Sequence, residues 1–556
     1  MFQFVLLILI LSGCARGTIL PDATNTPVIL PTITNTTTPI PTRILPTATV
    51  TPPLLSYWID ESVPDGLKKS AHIPSDARVA SHPGEATFRV EPVKDKTDAT
   101  RWVYALVTPF PTFTDGVALQ DLIHAWSGEK TGLFEDRSIL MSASTRAAIS
   151  SIFGEPGKDA VRVLDANTIL DTAWSDKVAW ALVPFEALEP RWKVLRVDDQ
   201  SPLDRSLDLE KYPLVVSFGL TGNPAVLAFI SDQASKNNQP ILPATNRDPQ
   251  KMTTIIMTGV TAMVRATADR MEKKGITYPA QDIVDWLRDT DFLHISNEVS
   301  FDPQCKPPNA SDPSLFFCSD PKYIGLLKYI HANIIDLTGN HMNDFGREWL
   351  LYSLDMYRQR GMMFYASGEN LDKARQPIKF EHNGNKFAFM GCNPAGPPHV
   401  WATATEAGAA PCDYDWMQSE IRQLRSDGYL PIVTFQYYES YDPLPSPQQK
   451  EDFRKMIEAG AVIVSGSQAH RPQAMEFMNG GFIHYGLGNL FFDQMDTPYT
   501  GTRNEYIDRH IFYDGRYIGT VLMTAMLEDY AKPRPTTAAE RLMILGESFK
   551  VSGWGQ

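Results

Sequence analysis

Residues 333–346, NIIDLTGNHMNDFG, start apolar at Ile334 and Ile335, reach an Asn-His pair at Asn340 and His341, and place Asp344 three positions later before Gly346. The stretch predicts a buried strand whose carboxyl end opens into a polar loop. A rigid sheet fixes the backbone while such a loop aims side chains, so divalent-metal and substrate ligands often sit there. One loop of this kind is not a site, and the rest of the chain must supply partners for His341.

Comparable runs recur: TTIIMTGVTAMV (253–264), DFLHISNEVSF (291–301), KFAFMGCN (386–393), LPIVTFQYYES (430–440), AVIVSGSQAH (461–470) and GFIHYGLGNLFF (481–492). Amphipathic patterns separate several of them. Leu350, Leu351, Leu354 and Tyr357 recur at helical spacing in EWLLYSLDMYRQRG, as do Phe453, Met456 and Ile457 in KEDFRKMIEAG. Between Tyr57 and Asn246, strand-like WVYALVTPFP, SILMSA, VRVLDA, VAWALVPF and KVLRVD alternate with helical LQDLIHAW and STRAAISSIFG. Both halves therefore predict α/β layers, with chemistry gathered at strand ends.

The 556 residues, 43% hydrophobic, suffice for roughly two to four domains. A net charge of −14 and the lack of a basic cluster argue against a nucleic-acid partner. The apolar run FVLLILILSGC (Phe4–Cys14) resembles a bacterial lipobox, although Met1 to Phe4 has no basic residue. That resemblance implies cleavage before Cys14, which would carry lipid and anchor the protein to a membrane outside the cytoplasm. Residues 19–56, dominated by Thr and Pro, cannot build a core and read as a semi-rigid spacer. Cys305, Cys318, Cys392 and Cys412 form an even set, which outside the cytosol suggests two disulfides. Proximity favours 305 with 318 and 392 with 412, while three connectivities stay open. No CxxC spacing points to zinc.

The expected organisation is a signal peptide at 1–14, a linker at 15–56, an α/β domain at 57–248, a second at 251–530 and a C-terminal tail at 531–556. The first α/β domain resembles a lobe of a type 2 periplasmic solute-binding protein. Its ligand would then be read by loops at Pro109–Asp115 and Ser142–Arg146, with Ser144 as helix N-cap and Arg146 near an anion.

The second domain resembles the CapA family, named for capsule and poly-γ-glutamate synthesis. Asn340, His341, Asp344 and Gly346 match the family's Asn-His-x-x-Asp-x-Gly; Asn297-Glu298 matches its Asn-Leu-Glu without the leucine; Gly488-Asn489 matches its Gly-Asn signature. The family implies a four-layer α/β/β/α sandwich like that of calcineurin-like metallophosphoesterases. Three departures stand out. Gly259-Val260 replaces Gly-Asp, Gln436 opens the stretch that should read His-Trp-Gly-x-Glu, and Gly466-Ser467-Gln468-Ala469-His470 replaces Gly-His-His-Pro-His.

What the resemblance leaves is a ligand set of Glu298, Asn340, His341 and His470 for one divalent metal at most, since a binuclear centre needs a bridging carboxylate and several imidazoles. His341, Asp344 and Glu298 are the candidate catalytic groups; Glu439, Arg471 and Asn489 are candidate substrate contacts. Two of these have a plainer reading: an exposed loop for Glu439, a salt bridge for Arg471. His294 reads as a hydrogen-bonded structural residue. The expected role is synthesis, anchoring or processing of an extracellular polymer, with hydrolysis left open. The alternative is a non-catalytic envelope lipoprotein that binds a solute or small anion.

Overall fold

The computed structural model describes residues 53–555 apart from 96 and 178, and these form one compact unit. Cys14, the signal-peptide run and the linker up to residue 52 lie outside the described residues. Among the described residues no helix is long and apolar enough to cross a membrane.

Three large sheets organise the chain. The first, built from residues 56–222, has nine strands, and the ten-residue strand Thr100–Pro109 runs through it, bonded to Val215–Gly222, Trp180–Pro184 and Trp192–Val194. The second sheet runs Met363–Tyr365, Ile334–Asp336, Phe292–Asn297, Met252–Thr261, Asn504–Tyr513, Arg516–Glu528, Lys532–Pro535, with Asn489–Phe491 beside Met252–Thr261. The third runs Ile378–His382, Asn385–Cys392, Leu430–Ser440, Ile463–Ala469, Gly481–His484, Met475–Met478.

Alternation along the strands explains how the second and third sheets stack. Every residue of Met252–Thr261 is buried, as a central strand covered on both faces requires. Ile255 and Met257 pack with Phe389, Ile432 and Ile463 of the third sheet, whereas Ile256 points the other way, toward Met271, Leu350 and Leu354 of the covering helices. On the far side, Met390, Val433 and Val464 of the third sheet meet Ile421, Phe453 and Met456 of the helices Tyr414–Ser426 and Pro447–Ala459. The result is the α/β/β/α sandwich that the apolar runs and the resemblance implied. Each fully buried aliphatic or aromatic side chain contributes about 1.5–3 kcal/mol.

Some local expectations change. Leu351 is 40% exposed, because it falls at the edge of the stripe that buries Leu350, Leu354 and Tyr357. The helix Ala143–Phe153 is capped by Ser142, whose hydroxyl accepts from the Thr145 N–H at 3.1 Å; Ser144 already lies inside the helix. Residues 532–551 hold the strand Lys532–Pro535 and the helix Ala538–Val551, opened by a Thr537/Glu540 capping box. That helix buries Ile544, Leu545 and Phe549 in the same cluster as Tyr506 and Phe512. Its Arg541 holds Asp115 of the first sheet's loop with two bonds of 2.8 and 2.9 Å.

Candidate functional site

Parallel strands with their carboxyl ends on one side bring several polar residues together. Glu298 follows the strand Phe292–Asn297, and His341 pairs with Val299 in a short parallel bridge. Gly339 makes the close approach possible, since a Cβ there would come within 2.3 Å of the Glu298 Cα. From the third sheet, Gln436 and Gln468 enter at an irregularity. Gln436 pairs with Ser467, yet the next paired residues are Ser440 and Ala469, so the first strand bulges and turns its side chains. Gln468 has φ +74°, the left-handed region that non-glycine residues rarely adopt without compensation.

At the centre sits the Gln436 carboxamide. Its Nε2 lies 2.9 Å from Glu298 Oε2 and 2.9 Å from Asn340 Oδ1, and it also donates to Gln468 Oε1. Its own Oε1 is buried with no hydrogen-bond partner. Asn340 passes the chain on, its Nδ2 lying 3.1 Å from His341 Nε2, while His341 Nδ1 lies 2.7 Å from Asp344 Oδ2. One tautomer satisfies both contacts: Nδ1–H donates to Asp344 and Nε2 accepts from Asn340. Burial alone would lower the His341 pKa, but the Asp344 hydrogen bond and the Glu298 and Asp344 charges outweigh it and raise it. Asp344 is fixed in turn by the Phe317 N–H at 2.7 Å, and the Phe317 ring lies 4.4 Å from the His341 ring.

Other expected site residues stand further out. His470 Nδ1 faces Asn489 Oδ1 at 2.9 Å, and its ring stacks on Phe492 at 5.2 Å; among the described residues no hydrogen bond joins it to Glu298, Asn340 or His341. Asn489 also bonds the His470 and Thr502 carbonyls, so it buttresses His470. Arg471 is engaged by Glu547. Glu439 is exposed and accepts from the Tyr441 hydroxyl at 2.6 Å, and Tyr441 stacks on Tyr499 at 3.7 Å. His294 is wholly inside, bonded to the Tyr365 hydroxyl at 2.7 Å, and burial lowers its pKa to about 3.

The donor set does not fit the metal centre of the calcineurin-like fold. Among the described residues no three His, Cys, Asp or Glu side chains are grouped to hold an ion. The oxygens that converge comprise one carboxylate and two carboxamides, and an amide nitrogen lies among them. Val260, at an aspartate position of the family, is buried and has no donor atom. In the sequence, Gln436 and Gln468 stand only where the family has histidines. Their appearance at two strand ends at once was the signal that they form one unit.

Both disulfides are present. Cys305–Cys318 closes the loop that carries Phe317, and Cys392–Cys412 ties the third sheet's strand end to the segment before the helix Tyr414–Ser426. At the first sheet, Arg146 pairs with Glu155 at 3.0 Å, and Asp115 lies between Lys193 at 2.8 Å and Arg541. Burial lowers the Lys193 pKa to about 8 although Asp115 opposes it.

The sequence model of one family, bacterial capsule synthesis protein PGA_cap, matches residues 254–494. A capsule biosynthesis protein CapA of Bacillus anthracis is 23% identical over 311 residues, 55% of this chain and 74% of that protein. Among solved structures, an NAD nucleotidase of Haemophilus influenzae is similar over 53% of this chain and 55% of its own, at 11% identity and TM-score 0.30. An ABC-type phosphate transport receptor of Vibrio cholerae is similar over 29% of this chain and 84% of its own, at 12% identity and TM-score 0.25. The residues that this family model matches, 254–494, contain Glu298, Asn340, His341, Gln436 and Gln468.

Proposed function

We propose that this protein is an exported, lipid-anchored accessory of the cell envelope that helps make, anchor or process an extracellular polymer, either capsule or poly-γ-glutamate. The observation that carries the reading is the meeting of Glu298, Asn340, His341 and Asp344 beyond the carboxyl ends of neighbouring strands inside the family-matched segment. Beside His470, Tyr441 stacks on Tyr499 and donates its hydroxyl to exposed Glu439, a rim suited to a chain-like ligand. Within the site, Asp344 orients the His341 ring, and His341, with 14% of its side chain exposed, is the group placed to exchange a proton with that ligand. Cys14 is the residue proposed to carry the lipid.

Replacing His341→Ala in the source cell, at unchanged protein level, is expected to lower the extractable surface polymer. Unchanged polymer would refute the reading. Replacing Cys14→Ala is expected to move the protein from the membrane fraction to the soluble one.

A solute-binding reading has its own observation. A cavity of about 340 Å³ is walled by Phe110, Thr112, Lys193, Arg196 and Arg541, on the loop expected to read a ligand. Its cationic groups are already matched, Lys193 and Arg541 by Asp115, Arg196 by Asp204 and Arg509 by Asp289, which disfavours an anion. Phosphate binding by residues 53–556 that survives His341→Ala and falls with Lys193→Ala would favour it.

A further inference from the structure

Three acceptor oxygens from three separate elements converge on one point. Glu298 Oε2 comes from the end of the second sheet, Asn340 Oδ1 from the loop 337–346, and Gln468 Oε1 from a residue whose backbone is held at φ +74°. Oxygens of like partial charge converge only around something positive. Here that point is taken by Gln436 Nε2, whose two protons are shared among three acceptors. Turning the amide over would put Oε1 against all three oxygens, so its orientation is dictated. The consequence is an Oε1 that is buried without a partner, in a side chain with no exposure.

We infer that the Gln436 carboxamide is a built-in replacement for a cation: its NH2 holds Glu298, Asn340 and Gln468 in the arrangement an ion would otherwise hold, and the site works without a resident metal. The inference rests on the proposed function only in taking this cluster as the working site. Several features fall into place on it. Gln468 tolerates its unfavourable backbone because its oxygen has a donor to meet. The bulge between Gln436 and Ser440 is what swings that donor into position. Asn340, with Oδ1 committed to Gln436, must present Nδ2 to His341, and this selects the Nδ1–H tautomer facing Asp344. Gln436 is thus a positioning residue that acts on His341 through Asn340.

The test uses protein stripped with EDTA and titrated with Mn²⁺, following stoichiometry by calorimetry and melting temperature by fluorimetry. The wild type is expected to take up no stoichiometric Mn²⁺ and to melt at the same temperature in EDTA and in Mn²⁺. Gln436→Glu adds a second carboxylate among the oxygens. It is expected to melt lower in EDTA, to recover in Mn²⁺, and to gain on the order of a hundredfold in Mn²⁺ affinity. Should that variant not fold, Gln436→Ala, which vacates the point, is expected to gain a Mn²⁺-dependent rise in melting temperature. One equivalent of Mn²⁺ bound by the wild type would overturn the inference, and so would variants as indifferent to Mn²⁺ as the wild type. These outcomes are independent of the amount of surface polymer, so failure here and failure of the proposed function are separable.

Discussion

The ends of the strands in the first sheet and the ends in the sandwich treat their polar groups differently. At the first sheet, Asp115 is clasped by Lys193 and Arg541, Arg146 by Glu155, and Ser142 by the helix it caps. Each charge there has an answer close by, and the Asp115 loop joins two parts of the molecule. In the sandwich, Gln436 Oε1 and Asp336 Oδ2 are buried without partners, and Gln468 is held in an unfavourable backbone region. The first sheet also buries Thr100 Oγ1, Tyr104 Oη and Trp180 Nε1 without partners, so the difference lies in which polarity is left over: neutral hydroxyl and indole groups there, a carboxylate and a carboxamide oxygen in the sandwich.

Substitutions of opposite sign probe that contrast. Asp336, on the strand Ile334–Asp336, is fully buried, and burial lifts its carboxyl from the ordinary 3.8 to about 6 against the Thr338 N–H that stabilises the anion. The folded chain therefore holds this proton longer than the unfolded one. The penalty grows as pH rises from 3.8 toward 6 and is constant above. Asp336→Asn is expected to raise stability at pH 7 by up to about 3 kcal/mol in urea melts, a gain that fades through that window and is lost near pH 3.5. Loss of stability at pH 7 would contradict the contrast.

In the first sheet the sign reverses. Asp115→Ala leaves Lys193 and Arg541 facing each other and is expected to cost about 1–3 kcal/mol by the same measurement. No loss would mean that the loop is not a joint. A smaller effect separates the backbone of Gln468 from its side chain. Gln468→Gly relieves the left-handed conformation, so a gain of about 0.5–1 kcal/mol is expected, offset by the lost acceptor; Gln468→Ala keeps the strain and should be the less stable of the two. Most local is the helix cap. Ser142→Ala should cost about 1 kcal/mol and Ser144→Ala only a few tenths, both readable as shifts in thermal midpoint.

Much of the architecture could be read from residue order. Continuous apolar runs ending in polar or glycine residues located the strands, and the opposite contacts of Ile255 and Ile256 show why such runs sandwich between layers. The His341–Asp344 pair was visible because both ends lie in one loop. Gln436 was not legible as a site residue, because its meaning depends on a bulge and on three partners from elsewhere in the chain. Position-by-position reading sees a missing histidine there; only the assembled oxygens show what replaced it. The Ser142 cap was missed by two residues, an ordinary error where several serines compete for one helix start. Residues 532–551 gave weak signals for a similar reason: the helix Ala538–Val551 buries only Ile544, Leu545, Ser548 and Phe549.

The covalent ring closed by Cys305 and Cys318 has a bearing on when the protein can work. Phe317, next to Cys318, donates its N–H to Asp344, and Asp344 holds His341. A freshly made chain with free thiols would leave that wall untied, so the imidazole would gain its final support only once an oxidant had acted. Maturation of the pocket is thereby tied to an oxidising surrounding, and the chain would carry an unfinished centre until it arrived there.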